Sequence, residues 1–169
     1  QVFSLKCADA QSNSAELTVT TPPSISSQPS DLTACAGSSA GFKVAASGTA
    51  ITFQWQEDQG SGFADLADAG IYSGTDKATL DISTVSAAMS GYAYRCIVDN
   101  ATCSGINSNS ADLTVTISPT VTAAPSDVSA CVGDDVIYKV SATGSNLAYK
   151  WQEDQGLGFT DISNGGKYS

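Results

Sequence analysis

Apolar and polar positions alternate with a period of two through most of this chain. Ala15, Leu17 and Val19 alternate with Ser14, Glu16 and Thr18, and Phe42, Val44 and Ala46 share one parity on a later segment. Ile51, Phe53 and Trp55 repeat the pattern, as do Leu80 with Ile82, Tyr94 with Cys96 and Val98, and Leu113 with Val115. A period of two predicts strands with one buried face. Ser24 to Ser27 reads as a short first strand kinked by Gln28-Pro29, and Asp31 to Cys35 resumes it before the turn at Ala36-Gly37-Ser38. EDQGSG after Trp55 reads as a hairpin loop from which Phe63 to Leu66 returns. No stretch keeps a 3.6-residue apolar period, so no long helix is expected; Ser86 to Ser90 suits a single turn.

The pattern repeats. WQEDQG occurs at Trp55 and again at Trp151, 96 residues later, and the same offset aligns SNSAELTVT at Ser12 with SNSADLTVT at Ser108. Cys7 falls on Cys103, Cys35 on Cys131 and Tyr72 on Tyr168 without a gap. The period is long for a solenoid unit and suits one autonomous domain of about 100 residues. The expected organisation is the end of one domain over residues 1–21, a complete domain over 22–117 and the first part of a third over 118–169. On this reading the chain is a window on a longer array.

Composition narrows the class. Apolar residues make up 41%, enough for ordinary cores, and charged residues only 14%, well below the usual quarter. A net charge of −10 without a basic cluster argues against nucleic acid and anionic membrane surfaces as partners. No apolar run approaches the roughly 20 residues that span a bilayer. Seven to nine short strands with turn signals every 8–12 residues predict an all-β sandwich.

The complete copy resembles an immunoglobulin-like domain. The likeness is carried by Pro29, Asp31 and Gly37, by Trp55, by Leu80-x-Ile82-x-x-Val85 and by Tyr94-Arg95-Cys96. It implies tandem Greek-key sandwiches of two antiparallel sheets, with Trp55 and Trp151 in their cores, Tyr94 as the corner tyrosine and Val44 where the family's second-strand cysteine would stand. More narrowly, QPSD, CxG, FQWQ, YRC and SNSADLTVT in that order resemble tandem repeats of very large surface adhesins of gliding and biofilm-forming bacteria. That resemblance implies an extracellular stalk, secreted or surface-anchored. Its partners are neighbouring repeats end to end, and its loops are open to a surface glycan or protein.

Candidate chemistry is sparse. There is no histidine, so neither a Ser–His nor a Cys–His pair can be built. Glu57 and Asp58, repeated as Glu153 and Asp154, read as a solvated turn rather than paired carboxylates. Asp65 and Asp68 lack the spacing of a calcium loop. Phe63 and Tyr72 are the exposed aromatic candidates, and Asn100-Ala101-Thr102 fits a glycosylation sequon that reads as accidental. No enzyme activity, cofactor or metal is expected. The alternative function is a carbohydrate- or protein-binding module, in one version appended to a secreted hydrolase.

The cysteines number three per repeat, which cannot all pair within one domain. Given the resemblance, Cys35 belongs near one end of the sandwich, Cys96 opposite Val44 in its middle and Cys103 at the other end. Strands of about 25–30 Å separate those ends. The expectation is that Cys35 and Cys103 types bridge neighbouring domains, leaving Cys96 reduced. The partners of Cys35 and Cys131 would then lie after residue 169, and those of Cys7 and Cys103 before residue 1. A Cys35–Cys96 or Cys96–Cys103 bond is the rival.

Overall fold

The computed structural model describes residues 11–169; Cys7 lies outside them. Eleven strands run between Ser24 and Thr116: β1 Ser24–Ser27, β2 Leu32–Cys35, β3 Ala40–Lys43, β4 Ala45–Ser47, β5 Thr52–Asp58, β6 Phe63–Asp65, β7 Tyr72–Ser73, β8 Thr79–Ile82, β9 Tyr92–Asp99, β10 Ile106–Asn107 and β11 Ala111–Thr116. One sheet has the order β2-β11-β9-β5-β6, with β10 also on β9. Facing it are β3-β8-β7 and the β1–β4 pair. This is an all-β immunoglobulin-like sandwich.

Pairing between Ser24 and Thr116 is antiparallel except at one edge. β2 runs parallel to β11, with Leu32 opposite Leu113 and Cys35 opposite Thr116. The kink at Pro29 makes this possible by carrying the chain from β1 in one sheet to β2 in the other. Two side chains fix the crossing: Gln28 accepts from Asn109 N–H and Asp31 from Asp112 N–H, both at 2.8 Å. Val44 interrupts the strand that Phe42 and Ala46 share, so β3 and β4 are separate elements. The single turn expected near Ser86 is a 3-10 turn over Ala87–Met89.

The core follows the two-residue parity. Phe42, Val44, Trp55, Leu80, Ile82, Val85, Tyr94, Cys96, Val98, Ala111, Leu113 and Val115 are buried together with Met89. Phe42 stacks on Tyr94 at 4.7 Å between ring centroids and lies 6.5 Å from Trp55. Trp55 is 0% exposed, and its Nε1 donates to Lys77 O at 2.9 Å. Every member of this cluster lies between Phe42 and Val115, within the span from Ser24 to Thr116 that β1 to β11 occupy.

Two expectations differ outside that span. Residues 11–21 form no strand, and Leu17 and Val19 are exposed. Their counterparts in β11 are held by β2 and β9, and a lone strand with no ladder bonds its backbone to water instead. Residues 118–169 form β12 Thr120–Ala123, β13 Ser141–Thr143, β14 Gln152–Asp154 and β15 Phe159–Asp161 in two antiparallel pairs, β12 with β13 and β14 with β15. Trp151, expected in a core, is 39% exposed. Trp55 shares its buried cluster with residues of β8, β9 and β11, positions whose 96-residue counterparts are not among residues 118–169.

Candidate functional site

The repeated WQEDQG segment holds a polar cluster inside the sandwich. β5 turns Trp55 inward, and two residues on it turns Glu57 to the same side. Glu57 is only 6% exposed. Its Oε2 accepts from the hydroxyls of Tyr94, at 2.8 Å, and Tyr72, while Oε1 accepts from Gln59 Nε2. Tyr72 comes from β7 and Tyr94 from β9, so the carboxylate ties the two sheets together. The solvated-turn reading of Glu57 is therefore wrong: the side chain is buried, and burial is tolerable because both oxygens are bonded.

Tyr94 also differs from a corner tyrosine that bonds nearby backbone, since its hydroxyl goes to Glu57. Burial first, then the hydrogen bond to the anionic Glu57, pushes Tyr72 up to about 12. Burial and its bonds to Tyr72 and Glu57 push Tyr94 further still in the same direction.

Asp58 points the other way and does occupy the turn. Its Oδ1 accepts from the amides of Gly60 and Gly62 at 2.7 and 2.8 Å, which hold its carboxyl below the usual range. The second copy keeps this arrangement, with Asp154 accepting from Gly156 and Gly158. Its Glu153 takes the Tyr168 hydroxyl and the Gln155 and Lys167 side chains, which lower it to about 2. The remaining candidates are engaged separately. Asp65 accepts from Gln56, Asp68 from Thr75, and Phe63 lies under Arg95 at 4.0 Å. Among the described residues no three His, Cys, Asp or Glu side chains converge on one point.

The two ends of the β1–β11 sandwich carry the other notable groups. At the end where the chain enters, Thr49 N–H donates to Thr21 O at 3.0 Å, and Thr21 N–H donates to Thr49 Oγ1 at 2.9 Å. Gly48, at φ +149°, lets Pro22 and Pro23 pass against the β4–β5 turn; an added Cβ would meet Pro22 O at 3.0 Å. Asn100 closes this end. Its Nδ2 donates to Thr21 O and Thr49 O, and its Oδ1 accepts from the amides of Thr102 and Cys103. The sequon asparagine is thus buried and spent on structure. Half-buried Cys103 lies in the same turn, its Sγ 3.5 Å from Thr20 Oγ1.

At the exit end Cys35 is exposed, and Thr116 Oγ1 donates to its Sγ at 3.7 Å. Cys96 is buried mid-sheet opposite Trp55, and burial pushes its thiol up to about 11. Cys131 is exposed; all four described cysteines are free thiols.

Sequence reasoning missed Glu57 and Asn100. Parity from Trp55 was enough to turn Glu57 inward, and the 96-residue coincidence of Glu57 with Glu153 and Tyr72 with Tyr168 pointed to the same pair. Asn100 was marked only by the sequon Asn100-Ala101-Thr102, which carries no sign of its structural role.

The fold is shared with other tandem immunoglobulin chains. A titin I-band fragment superimposes with a TM-score of 0.62 at 20% identity, covering 85% of this chain and 49% of that one. Endoglucanase C of Cellulomonas fimi is 37% identical over 137 residues, 80% of this chain and 12% of the enzyme. Mouse Roundabout homolog 1 is 30% identical over 172 residues, 94% of this chain and 10% of that protein. The chain thus spans about a tenth of the length of these two relatives. The immunoglobulin I-set domain profile matches residues 23–115, more than half of the chain. By that match, on a sandwich of this topology, the chain belongs to the immunoglobulin I-set domain family.

Proposed function

We propose that this chain is a stalk segment of a large secreted or surface-anchored bacterial adhesin or filament, built from units stacked end to end. Residues 1–21 would end one unit, 22–117 would form a second and 118–169 would begin a third. The observation that carries the reading is a junction that occurs twice. Ser145 N–H donates to Ile117 O at 2.8 Å and Ile117 N–H to Ser145 Oγ at 2.9 Å, the same bonds that Thr49 and Thr21 exchange 96 residues earlier. Gly144 repeats the role of Gly48 with φ +145°, against Pro119. A connection held by one backbone bond, one bond from backbone to a side-chain hydroxyl and a proline leaves little freedom for one unit to swing on the next.

Small-angle scattering of three tandem copies of residues 22–117 tests this. An elongated particle is expected, and the radius of gyration of a folded-back or freely jointed chain would sink the stalk reading.

The likeness to an endoglucanase favours a second reading, a module appended to a secreted hydrolase that binds carbohydrate or protein through its loops. One shallow groove beside β3, lined by Ser27, Gln28, Gly41 and Lys43, presents no exposed aromatic platform for sugar. Co-sedimentation of residues 22–117 with insoluble polysaccharide separates the readings: retention favours the appended module, whereas a stalk stays in solution.

A further inference from the structure

We propose that consecutive units are locked by a disulfide between Cys35 of one unit and the Cys103 of the unit that follows it. The proposal rests on the end-to-end reading of the units, and its site is the threonine at each junction. Thr20 and Thr116 occupy the same position of the repeat. Looking forward along the chain, the Thr20 hydroxyl touches Cys103 Sγ at 3.5 Å. Looking back, the Thr116 hydroxyl touches Cys35 Sγ at 3.7 Å. At a junction with whole units on both sides, one threonine hydroxyl meets both sulfurs, so they lie no farther apart than those two distances end to end.

The superposition of the two junctions is warranted by their backbone. The residue after each threonine makes the same pair of hydrogen bonds, Thr21 with Thr49 and Ile117 with Ser145. The turns that receive them share a left-handed residue at the same position, Ala50 at φ 49° and Asn146 at φ 52°. Asn100 then fixes the Cys103 turn directly on Thr21 and Thr49. Both thiols are reachable: Cys35 is exposed and Cys103 half-buried, so χ1 rotation can bring the sulfurs to bonding distance.

Register disfavours the pairings within a unit. Cys35 lies level with Thr116, while Cys96 exchanges its backbone bond with Ser108, on the order of 20–25 Å back along the sheet at about 3.3 Å per residue. A disulfide needs Cα atoms about 4.4–6.8 Å apart. Cys103 lies past the end of β9, some 10 Å or more from Cys96 on the same rise.

The chemistry is thiol–disulfide exchange. The Cys35 and Cys103 thiols give up two protons and two electrons as the S–S bond forms, and an external disulfide is reduced to two thiols. An extracellular setting supplies oxidants of that class. The bond would hold neighbouring units together when the stalk is pulled and would resist bending at each junction.

The test is two tandem copies of residues 22–117, a span that holds β1 to β11 and every member of the buried cluster, equilibrated with glutathione disulfide and mapped by peptide mass spectrometry after alkylation. A peptide joining Cys35 of the first copy to Cys103 of the second is expected, with both Cys96 residues free. A bond within one copy involving Cys96 overturns the proposal, as do glutathione adducts on both junction cysteines without a bond between them. Scattering of the reduced two-copy chain keeps the two readings apart. An elongated particle that forms no junction bond refutes the lock alone, and a folded-back particle refutes the lock and the stalk together.

Discussion

The Tyr94 hydroxyl donates to Glu57 Oε2 at 2.8 Å inside the sandwich, and Tyr72 donates to the same oxygen from the facing sheet. Glu57→Ala strips both phenols of their acceptor and is expected to cost about 2–4 kcal/mol, since bonds to a charged group and the desolvation of orphaned hydroxyls are both lost. Glu57→Gln keeps an acceptor and should cost about half as much. Urea unfolding of residues 22–117 measures both; a neutral Glu57→Ala would return Glu57 to the solvated turn.

Trp55 and Trp151 occupy the same position of the repeat, yet only Trp55 is enclosed. Trp55→Ala should cost about 3–5 kcal/mol, the range for truncating a large buried aromatic, against a total of roughly 5–15 kcal/mol for a whole domain. In the 1–169 chain Trp151→Ala should change the main unfolding transition by less than about 0.5 kcal/mol. The two midpoints of tryptophan-fluorescence melts make the comparison.

Alkaline pH should unfold the β1–β11 sandwich through its phenols. The folded Tyr72 keeps its proton up to about 12, whereas the unfolded phenol loses it near 10.0. Stability is therefore complete below pH 10 and is lost as pH rises through 12. Tyr94, raised in the same direction, deepens the loss. Tyr72→Phe should flatten this alkaline limb while lowering stability at neutral pH, read from denaturation midpoints between pH 8 and 12.

Acid acts on the hairpin instead. Asp58 is held below its ordinary 3.8 by the Gly62 and Gly60 amides. Its contribution is thus present above the usual carboxylate range and lost as pH falls through the lowered value. Asp58→Asn keeps an oxygen for both amides but has no proton to gain. The acid limb of the stability profile should become shallower, with only a minor change at pH 7.

Gly48→Ala should loosen the junction as well as the fold. Its added Cβ would meet Ile51 Cγ2 at 2.7 Å and Pro22 O at 3.0 Å, on a backbone at φ +149° that side chains avoid. A loss of at least about 1 kcal/mol is expected, together with faster amide exchange at Thr49. Unchanged exchange there would mean that Pro22 and Pro23 do not depend on the glycine for their path.

The sequence by itself determined the architecture and the core. Period-two parity identifies strand faces because successive side chains on a strand must point to opposite sides. A 96-residue repeat then makes each inference count twice. Parity is local, so it also carried the information that Glu57 faces inward beside Trp55, although its charge argued the opposite. What parity lacks is the identity of the partners. Only the tertiary structure brought Tyr72 and Tyr94 from two different sheets to one carboxylate, because those contacts join strands distant in the chain.

The same limit explains the other differences. β2 beside β11 in parallel depends on the crossing that Asp31 fixes to β11 and Gln28 to Asn109 just before it, which alternation cannot encode. Ala15 to Thr20 and Trp151 have the residues of a strand and a core, and lack them in the structure because burial belongs to an assembly of strands and not to one segment. Cys35 and Cys103 are likewise seven-tenths of a repeat apart in sequence, and only the folded ends of the sandwich set each of them against a junction threonine.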